Sequence, residues 1–260
     1  MRGGIPATRI TRVANGWRLN GRKIFSTGIP LLKWLAIWVA TDEETPRIGT
    51  VLIPHPAAGI SIEKSWNQLG MRATVSHDVV FSNVVVREEE VSKLRSHAEA
   101  AVRDERVAAW SALLVSAVYD GIARAARLWF LQFIRERKPA NLQAALSTLP
   151  RFQEMTGKIE TLLSVNARLL ESASVAADGR QALPVIESGI VKMTVTENAI
   201  EAVELMLSAT GNPGLSRSNP LERHYRDVLC GRVHTPQADS VLVQAGLAAI
   251  NAVGSRSNVS

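Results

Sequence analysis

The feature that most constrains this chain is a change of hydrophobic period near residue 95. Before it, apolar residues alternate in short runs broken by Pro46, Pro54, Pro56, Gly59 and Gly70. After it, they recur every three to four residues over long stretches. Alternation is the period of a half-buried strand, and the longer spacing is that of one helix face. Strands in one block and helices in the next argue for an α+β chain. We therefore expect a β-domain over residues 1–95 and a helical domain over 96–260.

Within the first block, Trp17–Phe25 centres on Asn20-Gly21. Both residues accept the positive φ of a two-residue hairpin turn, so a hairpin is predicted there. Further strands are predicted at Leu35–Thr41, Gly49–Ile53, Ile60–Glu63 and Asp78–Val86, all rich in Val, Ile or Trp. Short strands at this spacing suggest a small antiparallel β-barrel or sandwich.

In the second block Trp110, Leu113, Leu114, Ala117, Val118, Gly121, Ile122, Ala125, Leu128 and Trp129 fall at helical spacing. One helix is expected from Ser96 to Arg137, stopped by Pro139. A second follows Pro150, with Phe152, Met155, Ile159, Leu162, Leu163 and Leu169 on its stripe, and ends at Asp178-Gly179. A third carries Val185, Ile186, Ile190, Met193, Ile200, Val203 and Met206 and ends before Gly211. A loop with Gly211, Pro213, Gly214 and Pro220 precedes a last helix from Gln237 to Val253, and the tail Gly254–Ser260 is expected to fray. Four long striped helices predict an antiparallel four-helix bundle.

Several classes are excluded. No stretch reaches the roughly 18 apolar residues of a membrane helix, and the opening Met-Arg-Gly-Gly-Ile-Pro has no apolar core of a secretory signal. The single cysteine, Cys230, rules out an intrachain disulfide and fits a cytoplasmic location. The net charge of +6 suits small anionic ligands, whereas the basic residues are interleaved with acids and form no nucleic-acid motif. The histidines His55, His77, His97, His224 and His234 show no metal-ligand spacing, so no metal site is expected. Neither common nucleotide-binding glycine loop occurs, nor a Gly-x-Ser-x-Gly elbow.

Three segments carry more specific information. Gly16-Trp-Arg-Leu-Asn-Gly-Arg-Lys-Ile-Phe-Ser-Thr-Gly28, Leu69-Gly-Met-Arg-Ala-Thr-Val-Ser-His-Asp78 with the strand to Val86, and Ala209-Thr-Gly-Asn-Pro-Gly214 continuing to Glu222-Arg-His-Tyr-Arg-Asp227 occur in that order. Together they resemble the middle and C-terminal domains of the acyl-CoA dehydrogenase superfamily. The resemblance spans nearly the whole chain. It implies a flavin cofactor, FAD or FMN, with Phe25, Ser26 and Thr27 beside the isoalloxazine and the Thr27 hydroxyl at flavin N5. It places Arg72, Thr74 and Ser76 near the flavin and substrate entrance, and Gly211 and Gly214 where backbone nears the cofactor. Glu136-Arg137-Lys138-Pro139 resembles the family's flavin-pyrophosphate arginine segment, although the family's following Phe-Gly is here Ala140-Asn141. Gln237 and Asp239 fall on the adenine side.

The resemblance also bears on the reaction. In the dehydrogenases a glutamate after the Arg-Asp pair abstracts the α-proton, and that position is Thr235 here. A neutral hydroxyl cannot replace a carboxylate base. His234-Thr235-Pro236 instead resembles the flavin-dependent monooxygenase branch, exemplified by dibenzothiophene monooxygenases. Those enzymes take reduced flavin from a separate reductase and form a C4a-hydroperoxide, which a histidine and a hydroxyl stabilise or protonate. His234 and Thr27 match these catalytic positions. The implied function is a monooxygenase acting on a small molecule, as a homodimer or homotetramer. The alternatives are a dehydrogenase with a relocated base and a non-catalytic oligomerising fragment. The family's N-terminal helical domain has no counterpart in the sequence, so weak flavin retention is expected.

Overall fold

The computed structural model describes residues 4–102, 104–179 and 183–256. The tail expected to fray from Gly254 is instead helical as far as Arg256, and residues 1–3 and 257–260 lie outside that range. The chain divides into two compact units, Met1–Gln68 with Arg72–Arg103, and Leu69–Met71 with Asp104–Ser260.

The first unit holds β1 (Arg9–Val13), β2 (Gly16–Ser26), β3 (Trp34–Thr41), β4 (Ile48–Pro54), β5 (Ile60–Glu63) and β6 (His77–Val86). They form one sheet in the order β4-β3-β1-β2-β6-β5. Of the small antiparallel barrel or sandwich expected, the compact sheet stands, and two details differ. Edge strands β4 and β5 do not pair with each other, so the sheet is not closed, and β1 pairs with β3 in parallel. Alternation puts Leu35, Ile37 and Val39 of β3, Val51 and Ile53 of β4, and Val79 and Phe81 of β6 on one face. These join Ile10, Trp17 and Leu19 in a single buried cluster.

Asn20-Gly21 is not a turn. The hairpin bend falls at Ala14-Asn15, before Gly16, and β2 runs unbroken through Asn20-Gly21. Opposite that dipeptide β6 carries an extra residue, because Leu19 pairs with Val84 but Gly21 pairs with Phe81. Asn83 there has φ 52°, and its N–H donates to Asn20 Oδ1 at 2.8 Å. Asn-Gly marks a backbone irregularity in either setting, and here it is a β-bulge. The bulge explains why burial on β6 slips from Val79 and Phe81 to Val84 and Val86.

The second unit is helical. It contains α2 (Glu105–Glu136), α3 (Pro150–Asp178), α4 (Val185–Thr210), α5 (Asn212–Leu215), α6 (Pro220–Leu229) and α7 (Ala238–Arg256), while the short α1 (His97–Ala101) belongs to the first unit. The single long helix expected from Ser96 is thus two helices. Ser96 caps α1, and the Asp104 side chain starts α2 afresh by accepting from Val107 N at 3.0 Å. The largest core joins Tyr119, Ala123 and Phe130 of α2, Phe152 and Ile159 of α3, Ile200 and Met206 of α4, and Leu221 and Val228 of α6. The fourth contributor is therefore α6. The last helix, α7, buries Val241 but leaves Leu242, Val243, Leu247 and Ile250 exposed.

A polar knot ties α2, α3 and α4 together. Asn166 Nδ2 donates to Asp120 Oδ1 at 3.0 Å and to Val195 O at 3.1 Å, and Asn198 Nδ2 donates to Asn166 Oδ1 at 2.9 Å. Arg124 holds the other Asp120 oxygen at 2.6 Å.

Candidate functional site

In the first unit, the end of β2 and the start of β6 lie side by side, Ser26 pairing with His77. Each strand turns sharply at a residue with positive φ, Phe25 at 57° and Val75 at 39°. Non-glycine residues held there are strained and are concentrated at functional sites. The turns gather three hydroxyls: Ser76 Oγ lies 2.9 Å from Thr27 Oγ1 and 2.8 Å from Thr74 Oγ1. Gly28 N donates to Thr74 O at 2.8 Å and locks the two turns together. Ser76 is buried, whereas Thr27 is exposed and can turn its hydroxyl to a ligand. Phe25 is 61% exposed and meets Trp66 edge-on at 6.0 Å. Ile24, Leu31 and Trp34 are exposed as well. An apolar, aromatic surface beside clustered hydroxyls matches the chemistry of a flat heteroaromatic ring with polar edge atoms. Arg72 opens a short 3₁₀ turn (Arg72–Thr74) and is exposed.

In the second unit, His234 follows a 3₁₀ turn, Cys230–Arg232. Its Nδ1 lies 2.5 Å from Tyr119 Oη, while the residue remains exposed. Burial against this surface and the nearby Lys192 cation both hold the imidazole below the usual histidine range, burial being the larger cause. Burial chiefly pushes the Tyr119 phenol well above its ordinary value, so it stays protonated and donates to Nδ1. A phenol that donates to Nδ1 leaves Nε2 as the ring nitrogen free to face a ligand. Lys192, 2% exposed, donates to Gly231 O and His234 O at 2.7 Å each.

The Arg226-Asp227 pair reaches beyond its own helix. Arg226 bonds Glu222 one turn back, but it also donates to Leu69 O at 2.7 Å, and Asp227 Oδ1 accepts from Met71 N at 2.6 Å. Between them, Gly70 is so close that a Cβ would sit 2.1 Å from Arg226 O. Gly70→Ala must push backbone from backbone, so a loss of about 2–3 kcal/mol is expected. A melting midpoint within 1 °C of wild type would contradict that.

The other candidate residues are dispersed. Arg137 is the exposed C-cap of α2 and makes no ion pair among the described residues. Gly211, φ 61°, ends α4 with open space where a Cβ would go. Gly214 is buried, and a Cβ there would meet Thr210 Oγ1 at 2.2 Å, so internal packing already accounts for it. Gln237 reaches Val233 O at 3.4 Å, and exposed Asp239 accepts from Ser240 N at 2.7 Å at the start of α7. Tyr119 and Lys192 escaped the sequence reading. A lysine in phase with Val195 and Ala199 was the available signal, but the stripe placed on Ile190 and Met193 obscured it. Ile190 is 39% exposed, and the buried face of that part of α4 runs through Ser188, Val191, Lys192 and Val195.

A sheet unit of this topology followed by this helical unit defines the acyl-CoA dehydrogenase fold. It matches butyryl-CoA dehydrogenase from Megasphaera elsdenii with a TM-score of 0.81 at 20% identity, over 95% of this chain and 64% of that one. The family models named Acyl-CoA dehydrogenase, middle domain, and Acyl-CoA dehydrogenase, C-terminal domain, match residues 3–84 and 113–239. The chain belongs to the acyl-CoA dehydrogenase superfamily and carries its middle and C-terminal domains.

Among curated relatives, the Bacillus subtilis (strain 168) protein YdbM, classed by name with the acyl-CoA dehydrogenases, is 34% identical over 244 residues, 93% of this chain and 62% of its own. Dibenzothiophene monooxygenase of Mycolicibacterium goodii is 27% identical over 243 residues, 85% of this chain and 58% of its own. The chain thus spans about 60% of the length of these relatives. No helix among the described residues is long and apolar enough to cross a membrane.

Proposed function

We propose that the protein is a flavin-dependent oxidoreductase of monooxygenase type, using reduced flavin and O₂ on a small molecule. The flavin is FAD or FMN and arrives reduced from a partner reductase. The observation that carries this reading is His234. It stands one residue before Thr235, which replaces the family's carboxylate, and its ring keeps Nδ1 on the Tyr119 hydroxyl.

Bound flavin would supply two-electron chemistry at N5 and, once reduced, reaction with oxygen. The protein's residues do the rest. Thr27, with Ser76 and Thr74 behind it, offers a hydroxyl whose donor direction those partners set. Phe25, with Ser26, gives the ring an apolar edge, Arg72 serves the flavin and substrate entrance, and Arg137 supplies positive charge for phosphate. In this reading Gly211 and Gly214 let backbone approach the cofactor, and Gln237 and Asp239 serve its adenine side. His234 donates a hydrogen bond from Nε2–H to an oxygen atom on which negative charge develops, and Tyr119 steadies the ring through Nδ1.

A second reading, acyl-CoA dehydrogenation, is favoured by the identity with YdbM. One pair of measurements separates the two. The purified chain is loaded with reduced flavin without oxygen, then mixed with oxygenated buffer. A protein-dependent change in the flavin absorbance time course is expected. Bleaching of oxidised bound flavin by an acyl-CoA, with no such change, would favour dehydrogenation, and failure to bind flavin would sink both.

A further inference from the structure

Lys192 is a charged side chain sealed inside the helical unit with no carboxylate within ion-pair reach among the described residues. Glu197, on the same helix, raises its proton affinity only at a distance and is itself engaged by Arg232 at 3.3 Å. Burial dominates and lowers the lysine below its usual range. An ammonium kept in such a place must be solvated by the protein. Two backbone carbonyls do this, those of Gly231 and His234, and both lie on the loop that presents the imidazole. The loop's other polar ties are longer, Arg232 to Glu197 at 3.3 Å and Gln237 to Val233 O at 3.4 Å. Its internal bonds from Val233 N and His234 N to Cys230 O are long, at 3.2 and 3.4 Å. Gly231 lies so close that a Cβ would meet Thr196 Cγ2 at 2.4 Å and the Tyr119 ring at 3.2 Å.

We propose that Lys192 is the positioning residue of His234: its ammonium clamps the Gly231 and His234 carbonyls, so that the ring meets Tyr119 through Nδ1 and stays neutral with Nε2–H as its donor. The groups around the ring come from several elements. Tyr119 comes from α2, Lys192 and the more distant Glu197 from α4, and Asp227, Cys230 and Arg232 from α6 and the following turn. Asp227 and Cys230 act on Tyr119, raising it further, which keeps the phenol a donor. The lysine is the cation facing the imidazole, and it opposes a second positive charge there. This inference rests on the reading of His234 as a hydrogen-bond donor only for its catalytic meaning. The protonation state itself is observable without flavin or substrate.

The test is ¹⁵N NMR of ring-labelled histidine in the full chain, assigned with His234→Ala. In the wild-type protein at neutral pH, His234 is expected as the neutral Nε2–H tautomer, titrating below free histidine. In Lys192→Met the titration midpoint is expected to rise and the single tautomer to give way to a mixture. Lys192→Gln, which keeps a donor and loses the charge, serves if the methionine variant does not fold. A wild-type His234 that is protonated or Nδ1–H at neutral pH overturns the proposal. So does a folded variant whose His234 curve superimposes on wild type. Loss of flavin chemistry in His234→Ala plays no part in either outcome, so the two readings fail separately.

Discussion

Replacing Asn166 by leucine is expected to lower the stability of the helical unit by about 3 kcal/mol. The side chain is fully buried and makes three hydrogen bonds that join three helices. Leucine preserves volume, so the loss comes from the polar partners rather than from a cavity. Asp120, 5% exposed, would keep Arg124 on one oxygen and lose the donor on the other. A buried carboxylate stripped of a donor is costly because low dielectric magnifies the missing bond. In thermal unfolding followed at 222 nm, a fall of about 6–12 °C is expected for a unit of this size. The double variant Asp120→Leu, Asn166→Leu should lose less than the sum of its singles, since it leaves no buried carboxylate short of a donor. Additive losses, or a single-variant loss below about 1 kcal/mol, would show that the knot is not cooperative.

Replacing His234 by alanine is expected to reduce oxygen-dependent turnover with supplied reduced flavin by about 10²–10³-fold, the range for losing one preorganised hydrogen-bond donor. Flavin affinity should not change, because the role assigned to His234 is stabilising a charged oxygen rather than holding the ring. Tyr119→Phe removes the bond to Nδ1 and keeps the ring packing, so a milder loss of about fivefold to tenfold is expected, equivalent to one neutral hydrogen bond. Turnover of His234→Ala equal to wild type would end the monooxygenase reading of this histidine.

Much of the architecture was legible because it depends on local period. The strands at Leu35–Thr41 and Ile60–Glu63 and the helices around Pro150 and Gly211 follow from alternation, helical stripes and stop residues. What failed locally had two competing local meanings. Asn20-Gly21 suits a turn or a bulge, and the turn itself is made earlier, at Ala14-Asn15, where Val13 pairs with Gly16. The helix from Ser96 carried a second N-cap residue inside it, Asp104, and the cap won. The Arg226-Asp227 pair is half local, in the bond from Arg226 to Glu222. Its other half, the capture of Leu69 and Met71, joins residues more than 150 positions apart, as in the 156-residue separation of Met71 and Asp227.

The sequence by itself determined the order of strand block and helix block, the superfamily, and the residue types at the candidate site, because periodicity and motif spacing are properties of neighbours along the chain. Tertiary structure alone decided that the sheet stays open, that α6 rather than α7 completes the helical core, and that Thr27, Thr74 and Ser76 share their hydroxyls. It also decided that His234 is held between a phenol and a buried ammonium. The physical reason is desolvation. Whether a hydroxyl, an imidazole or a lysine is poised for chemistry depends on what surrounds it, and those neighbours come from segments with no regular spacing between them.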